Sequence, residues 1–207
     1  MEINSSFYRS HQRKTYSRWA EEVPDDFRFS VKLPKSITHQ ARLRDADALI
    51  AAFAEEVGGL GARLGGVLIQ LPPSLAFDAD LGAAFLSAMR LHIGCPLALE
   101  PRHPSWFVPA VEWLWRDYAV ARVAADPPRF AGAATSGGGG TWRYWRWHGS
   151  PRIYWSAYDE AALSELADVL CVTANAGQQA WCILDNTVMG HATTDALRLR
   201  QLCAERG

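Results

Sequence analysis

The sequence predicts a single α/β domain, 1–207, with parallel strands, either a doubly wound sheet or a barrel. Short apolar stretches that end at proline, glycine or polar residues alternate with stretches that carry apolar residues at helical spacing. Parallel strands need such crossovers, and helices usually supply them. With 207 residues, 49% of them hydrophobic, the chain can bury one sizeable core.

Seven strands and six helices are predicted, in alternation. The strands are 2–5, 27–34, 65–74, 95–103, 118–128, 142–149 and 180–187. The helices are 12–22, 42–57, 78–92, 108–118, 159–174 and 190–204. The alternation breaks at 127–141, "PPRFAGAATSGGGGT", which we interpret as a surface connection or, alternatively, as a lid over a site. Its glycine run lacks the pattern of a phosphate-binding loop.

Charge and composition narrow the classes of partner. The chain has 21 basic and 22 acidic residues, a net charge of -1, so it has no general attraction for nucleic acid or an anionic membrane. Any bound anion must therefore be held by a local site. The four cysteines lack CxxC spacing, which favours reduced, buried thiols and the cytoplasm. No apolar run of transmembrane length and no leader is evident, so no membrane partner is predicted.

Six of the predicted strands become polar at their C-terminal ends. In parallel α/β folds these ends lie on one face, where ligands bind, so we predict that the side chains share one pocket. A single residue of this kind, such as Asp126, is more often a solvated loop residue. The polar ends are Lys32, Gln70, Glu100 with Arg102 and His103, Asp126, Arg146 with His148, and Asp185 with Asn186.

Several motifs in order resemble those of the family known as domain of unknown function 72, the YecE-like proteins. They are "EINSSFYR" at 2–9, "FRFSVKLPKSITH" at 27–39, "LIQLPPS" at 68–74, "LEPRHPSWF" at 99–107, "WRWHG" at 145–149 and "DNTVMGHATTDALRLRQL" at 185–202. The resemblance implies a TIM-barrel-like fold with a polar pocket at the C-terminal ends of the strands. It implies no particular reaction.

The chain departs from the family pattern in three places. Members of the family usually have a strand and a Gly-Ser/Thr-Ser-Gly-Trp-like stretch before the "EINS" segment. We therefore expect a barrel without its first strand, truncated at the N-terminus, whose open edges favour self-association. The other departures are Pro101, where the family has an aromatic-type residue, and Asp185, where it commonly has asparagine.

Chemistry assigns roles to the predicted pocket residues. Glu100 and His148 are the candidate catalytic proton carriers, and Lys32, Arg102 and Arg146 are candidate anion holders. Structural alternatives stay open. Glu100 could pair with Arg102 or Arg146, the arginines could pair with Glu100, Asp185 or Glu2, and Lys32 could face outward. Trp106 could pack on the barrel rim, and His191 could cap or brace a loop. The remaining predicted ligand-binding residues are Gln70, Trp106, Asp185, Asn186 and His191.

No metal site and no cofactor is predicted. Glu100, His148 and Asp185 are suitable ligand types for a divalent metal, but no HxH or HxxxE spacing supports one, so a metal stays the minor alternative. The favoured function is an enzyme that acts by acid-base chemistry on a small anionic metabolite, as a hydrolase, lyase or isomerase. The alternative is a non-catalytic protein that binds such a ligand or, less favoured, a nucleic-acid end.

Overall fold

The computed structural model describes all residues, 1–207, as a mixed α/β fold with parallel sheets. The chain divides into two compact units, Met1–Val120 and Ala121–Gly207. Each unit has its own parallel strands and its own hydrophobic core.

The first unit has four parallel strands, adjacent in chain order. They are β1 (Glu2–Ile3), β2 (Phe29–Lys32), β3 (Leu64–Gln70) and β4 (Leu97–Glu100). The helices are α1 (Arg13–Glu21), α2 (Asp47–Val57), α3 (Ala79–His92) and α4 (Glu112–Asp117). Every residue of β2 and β4 is buried, including the polar residues Ser30, Lys32 and Glu100.

The helix predicted over 42–57 begins only at Asp47. Arg42, Leu43 and Asp45 have φ angles of 52°, 70° and 45°, in the left-handed region, so residues 42–46 cannot continue a right-handed helix. The buried Leu43 side chain anchors this turn in the core, and the Arg42 guanidinium donates to the Ser74 hydroxyl and carbonyl. The apolar periodicity of the sequence could not reveal these contacts.

The second unit contains a sheet of three parallel strands in the order β6, β8, β9. The strands in this part of the chain are β5 (Val120–Arg122, which begins at the last residue of the first unit), β6 (Ala124–Asp126), β7 (Gly137–Gly138), β8 (Trp142–Trp147) and β9 (Gln179–Leu184). The helices are α5 (Glu160–Asn175) and α6 (His191–Ala204), and Asp159 caps α5 by accepting from the Ala162 N–H.

Two sequence predictions change in this region. The strand predicted over 118–128 is interrupted at Val123, which separates β5 from β6. The segment 127–141 is not wholly irregular: residues 131–134 form a 3-10 turn, and β7 pairs antiparallel with Ala121 and Arg122. No α-helix lies between β5 and β8, so the strand-helix alternation is broken over this part of the chain.

Four free cysteines are present, all partly buried. Burial raises the pKa of the Cys95 thiol to about 11 and also raises that of Cys182. The structure has no helix that is both long and apolar enough to span a bilayer.

Candidate functional site

Predicted site residues form a cluster at the C-terminal ends of the parallel strands of the first unit. We call Lys32, Gln70, Glu100 and Arg102 the first-unit cluster. Lys32 ends β2, Gln70 ends β3 and Glu100 ends β4, and Gln70 and Glu100 are register partners across the sheet. All three side chains are at most 7% exposed, so the sheet ends in buried polar groups rather than in solvated loop residues.

Arg102 joins the ends of two of these strands. Its Nε donates to Glu100 Oε1 at 2.7 Å, and its Nη2 donates to Gln70 Oε1 at 3.0 Å. The Arg102 side chain is 20% exposed and that of Glu100 only 5%. This partly buried ion pair fixes the guanidinium at the mouth of the strands, as the pairing alternative for Glu100 predicted.

Lys32 lies beside an aromatic ring of the same unit. Its Nζ is 4.2 Å from the centroid of Phe7, a cation-π contact. The residue before Phe7, Ser6, donates its hydroxyl to the Lys32 carbonyl at 2.7 Å and so attaches the short 3-10 turn 5–7 to the end of β2. A neighbour that the sequence reasoning missed is His39, whose ring meets Phe7 edge-on with centroids 5.0 Å apart.

The structure places Trp106 in the core of the first unit, 2% exposed, and not on a pocket wall. Its ring contacts Phe77 and Trp115, with centroids 5.0 and 5.9 Å away, and its Nε1 donates to the Leu75 carbonyl at 3.0 Å. The burial and these contacts favour the packing alternative for Trp106, and its ligand-binding role stays a prediction. His103 caps the 3-10 turn that contains Trp106 by accepting from the Ser105 N–H.

The second unit has its own cluster of predicted site residues, which we call the second-unit cluster: Arg146, His148, Asp185 and Asn186. Arg146 lies on β8 and His148 directly follows it, whereas Asp185 and Asn186 follow β9. Strands β8 and β9 are parallel neighbours, which brings these ends together. Asp185 Oδ2 is 3.2 Å from His148 Nδ1 and 3.5 Å from Arg146 Nη2.

His148 is held firmly at one ring nitrogen and left unsatisfied at the other. The residue is 5% exposed, and its Nε2 is buried without a hydrogen-bond partner. A carboxylate at Nδ1 favours the tautomer in which Nδ1 carries the proton, so Nε2 presents a lone pair. Buried polar atoms are nearly always paired, and Nε2 is one of three buried side-chain atoms of the second unit without a partner, with Trp142 Nε1 and Asn186 Oδ1.

The backbone after His148 turns sharply to orient the ring. Gly149 has a φ of 95°, and a Cβ there would lie 2.9 Å from the Ser156 carbonyl oxygen, so glycine is required. After this turn the chain brings Tyr154 back against His148. The Tyr154 N–H donates to the His148 carbonyl, and its ring meets the imidazole edge-on with centroids 5.8 Å apart. The histidine is thus fixed by backbone, by an aromatic ring and by Asp185.

Asn186 and the unpredicted Asp195 form a buried support behind this turn. Asn186 Nδ2 donates to Asp195 Oδ2 at 2.7 Å and to the Ser156 carbonyl at 3.0 Å. The Tyr158 N–H donates to the same Asp195 oxygen at 3.1 Å. Asn186 is fully buried and Asp195 is 5% exposed, so the pair ties α6 to the loop that precedes α5. No spacing rule could connect Asp195, nine residues away on the helix, with Asn186.

Asp126 accepts from the Tyr158 hydroxyl at 2.8 Å, and that hydroxyl in turn accepts from the Gly149 N–H at 2.8 Å. Burial, and then the hydrogen bond to Asp126, raise the pKa of Tyr158, so it remains a proton donor. Both residues line a cavity of about 770 Å³ in the second unit, and residues 134–136, between β6 and β7, line it as well.

His191 is the first residue of α6, and Gly190 precedes it at a φ of 80°. The side chain is partly exposed, as expected for a residue at a helix start. No group of three or more His, Cys, Asp or Glu side chains is placed to hold a metal ion. The prediction of a site that works without a cofactor stays a prediction.

The two clusters differ in the chemistry they offer. The first-unit cluster presents a guanidinium and an ammonium, which suit a small anion. The second-unit cluster presents an oriented imidazole nitrogen, which suits proton transfer. In both, the side chains lie on or shortly after the C-terminal ends of parallel strands.

The profile of the family "Protein of unknown function DUF72" matches residues 1–207. The UPF0759 protein YecE of Escherichia coli K12 is 33% identical over 112 residues, which are 54% of this chain and 41% of YecE. The UPF0759 protein YunF of Bacillus subtilis is 28% identical over 116 residues, 53% of this chain and 41% of YunF. These alignments span less than half the length of the curated relatives.

Solved structures agree with the fold. A DUF72 family protein from Thermotoga maritima superposes with a TM-score of 0.83 at 23% identity, covering 98% of this chain and 84% of that one. A DUF72 family protein from Enterococcus faecalis V583 superposes with a TM-score of 0.81 at 19% identity and the same coverage. By the match along its whole length, the chain belongs to the DUF72 family of proteins of unknown function.

Proposed function

We propose that this protein is an enzyme that performs acid-base chemistry on a small anionic metabolite. Proton transfer is assigned to His148 in the second unit, and anion binding to Lys32 and Arg102 in the first. The observation that carries the proposal is the buried Nε2 of His148, which has no hydrogen-bond partner while Nδ1 is bound to Asp185. Each assignment has its own test.

His148 has the features of a general base. Asp185 Oδ2, 3.2 Å from Nδ1, orients the ring and stabilises the imidazolium that forms when Nε2 takes up a proton. The edge-on Tyr154 ring and the turn at Gly149 hold the imidazole in place, so little reorganisation accompanies the transfer. Arg146, 1% exposed, lies 3.5 Å from the same carboxylate oxygen, so Asp185 contacts a guanidinium as well as the imidazole.

Anion binding follows from charge and orientation. The Arg102 guanidinium is fixed by Glu100 and Gln70, so its remaining N–H groups can meet a carboxylate or phosphate without loss of side-chain freedom. Lys32 adds a point charge held against Phe7. A pocket at the C-terminal ends of strands in a TIM-barrel-like arrangement is part of this proposal.

Glu100 has two roles open to it. As a proton carrier it would act on the ligand directly, and as a partner of Arg102 it would orient the anion-binding group. The 2.7 Å contact with Arg102 Nε favours the second role. We therefore assign proton transfer to His148 and keep Glu100 as the residue that positions Arg102.

The proposal is tested by hydrogen exchange into candidate substrates. The wild-type protein is incubated in D₂O with phosphorylated sugars and carboxylic acids, and each compound is analysed by mass spectrometry for deuterium uptake or conversion. For one compound class we expect catalysed exchange that His148→Gln reduces by about 100-fold or more, the usual contribution of a general base.

The matched control is His92→Gln, which changes a histidine paired with Asp47 in the first unit and should exchange like the wild type. Binding of the same compounds is followed by thermal shift, since a ligand that binds only the native state raises the melting temperature. A compound that binds without exchange or conversion by the wild type would favour the non-catalytic alternative. Equal exchange by wild type and His148→Gln would contradict the role of His148.

A further inference from the structure

The crossover between β6 and β8 leaves open space on one face of the sheet of the second unit. Parallel neighbouring strands are joined by crossovers, and these usually contain a helix that packs on the sheet. Residues 127–141 contain only the 3-10 turn Ala131–Ala134 and the short strand β7. The cavity of about 770 Å³ lies at this part of the sheet, and its volume is typical of a site for a small molecule.

The walls of the cavity come from β8, from α5 and from the crossover. Arg143, Trp145 and Trp147 alternate along β8 and so share one face of the strand. Leu166 and Val169, three residues apart on α5, form part of the opposite wall. The middle of the cavity is therefore largely apolar, and its charged groups lie towards the ends of the strands.

One end of the cavity carries a carboxylate among aromatic rings. Asp126 is the last residue of β6 and the register partner of Trp147. Its Oδ1 accepts from the Tyr158 hydroxyl at 2.8 Å, and Asp126 forms no ion pair. The rings of Trp147 and Tyr158 lie together, with centroids 4.4 Å apart. A carboxylate beside aromatic rings is a favourable place for an ammonium group.

The other end carries a guanidinium without a carboxylate partner. Arg143 Nη1 donates to the carbonyls of Gly140 and Trp142 at 3.1 and 2.8 Å. Its Nε and Nη2 form no hydrogen bond within the protein. Burial lowers the pKa of Arg143, and no acidic side chain counteracts this effect. Nε and Nη2 together are suited to a carboxylate, which arginine often binds through two parallel hydrogen bonds.

These two charges are too far apart to pair with each other. Asp126 is level with Trp147, four residues beyond Arg143 on β8. At a rise of about 3.3 Å per residue, the two levels are about 13 Å apart. The carbonyls that bind the guanidinium precede Arg143 in the chain, on the side away from Asp126. An extended peptide of about four residues spans the same distance.

Two further carboxylates line the cavity, those of Asp159 and Glu165. Both residues are exposed, so solvent screens their charges. Asp159 also caps α5 through the Ala162 N–H. The carboxylate of Asp126 is thus the least exposed one on the wall, and Arg143 is the one cation there.

We propose that this cavity binds a linear zwitterion with its charges about 13 Å apart, such as an extended peptide of about four residues, whose ammonium meets Asp126 and whose carboxylate meets Arg143. Opposite charges at the two ends select a molecule that carries the complementary charges at its own ends. The apolar surface between them, which includes Trp145, suits aliphatic chain segments. His148 does not line the cavity, so the inference is independent of the proposed acid-base site.

The test measures binding by calorimetry with tetraalanine, N-acetylated tetraalanine, tetraalanine amide and dialanine. Tetraalanine should bind, and loss of either terminal charge should weaken binding about tenfold, as expected for a charge-assisted hydrogen bond. Dialanine, which spans about half the distance, should bind as weakly as the blocked peptides.

ω-Aminodecanoic acid carries both terminal charges but no peptide groups, so it distinguishes two sources of the zwitterion. Affinity equal to that of tetraalanine would support recognition through the two charges of any linear zwitterion. Weaker binding than tetraalanine would support a peptide as the ligand.

Two variants assign the ends of the ligand. In Asp126→Asn, acetylation of tetraalanine should no longer weaken binding, and in Arg143→Gln, amidation should no longer weaken it. Asparagine keeps an oxygen that can accept from Tyr158, and urea unfolding checks that both variants are folded. The matched controls Asp168→Asn and Arg198→Gln change exposed ion pairs outside the cavity and should bind tetraalanine as the wild type does.

Three results would overturn the inference. The first is a folded wild-type protein that binds neither tetraalanine nor ω-aminodecanoic acid at millimolar concentration. The second is an affinity for tetraalanine that acetylation and amidation leave unchanged. The third is an effect of the blocked termini that stays the same in folded Asp126→Asn and Arg143→Gln, which would place the binding site elsewhere.

Discussion

Glu100→Gln is the substitution that best separates the two roles of Glu100. The carboxylate is 5% exposed and accepts from Arg102 Nε at 2.7 Å, while the Arg102 side chain is 20% exposed. Glutamine keeps an oxygen that can accept from Arg102 but removes the negative charge. If Glu100 positions Arg102, the change should destabilise the fold and strengthen anion binding.

Both effects have a predictable size. Removing one partner of a buried ion pair costs about 3–5 kcal/mol, and a retained hydrogen bond places the cost of glutamine near the lower end, at about 3 kcal/mol. A negative charge about 8 Å from a bound dianion costs about 1 kcal/mol even at the dielectric constant of water. Its removal should therefore tighten sulfate binding about fivefold.

The assay combines urea unfolding with calorimetric titration of sulfate. We expect a free energy of unfolding lower by about 3 kcal/mol and a smaller dissociation constant. The deuterium-exchange assay run on the same variant completes the test. Unchanged stability and sulfate affinity together with lost exchange would refute the reasoning and identify Glu100 as a proton carrier.

Two further predictions concern residues that the structure assigns to packing and support. Because the Trp106 ring is buried in the core, Trp106→Ala should lower the free energy of unfolding by about 3–5 kcal/mol, and Trp106→Phe by less. Sulfate affinity, measured by calorimetry, should be unchanged in Trp106→Phe. Reduced sulfate affinity in a variant whose stability to urea equals that of the wild type would support a role of Trp106 at a ligand. Asp195→Ala should lower the free energy of unfolding by about 3 kcal/mol, because it leaves the buried Asn186 amide and the Tyr158 N–H without their acceptor. Asp195→Asn should lower it by less. The control Asp168→Ala breaks an exposed pair with Arg206 and should lower it by less than about 1 kcal/mol. Equal urea midpoints for Asp195→Ala and Asp168→Ala would show that the Asp195 support is unimportant.

Much of the architecture could be predicted because short, largely apolar segments alternate with segments of helical periodicity, and polar residues stand at or directly after the strand ends. Lys32, Gln70 and Glu100 each end a strand as expected, and His148 and Asp185 directly follow theirs. The family was recognisable from the order of short motifs. A shared pocket for all the strand ends stays a prediction.

Other features depend on tertiary contacts that have no local signal. The turn at 42–46 looks like the first turn of α2, and only its contacts with the core and with Ser74 reveal the left-handed backbone. His39 contacts Phe7, and Asp195 accepts from Asn186 and Tyr158, and in each case the partners are distant in the sequence. Trp106 follows a strand end, as a pocket residue would, yet the Leu75 carbonyl and the surrounding rings hold it in the core.

The central claim is that His148 presents an unprotonated Nε2 as a base. The most direct measurement is the protonation state of its two ring nitrogens, by nitrogen-15 NMR of the wild-type protein and of Asp185→Asn near neutral pH. We predict a proton on Nδ1 and none on Nε2 in the wild type, and a loss of this preference in Asp185→Asn. A neutral wild-type His148 with its proton on Nε2 would contradict the account.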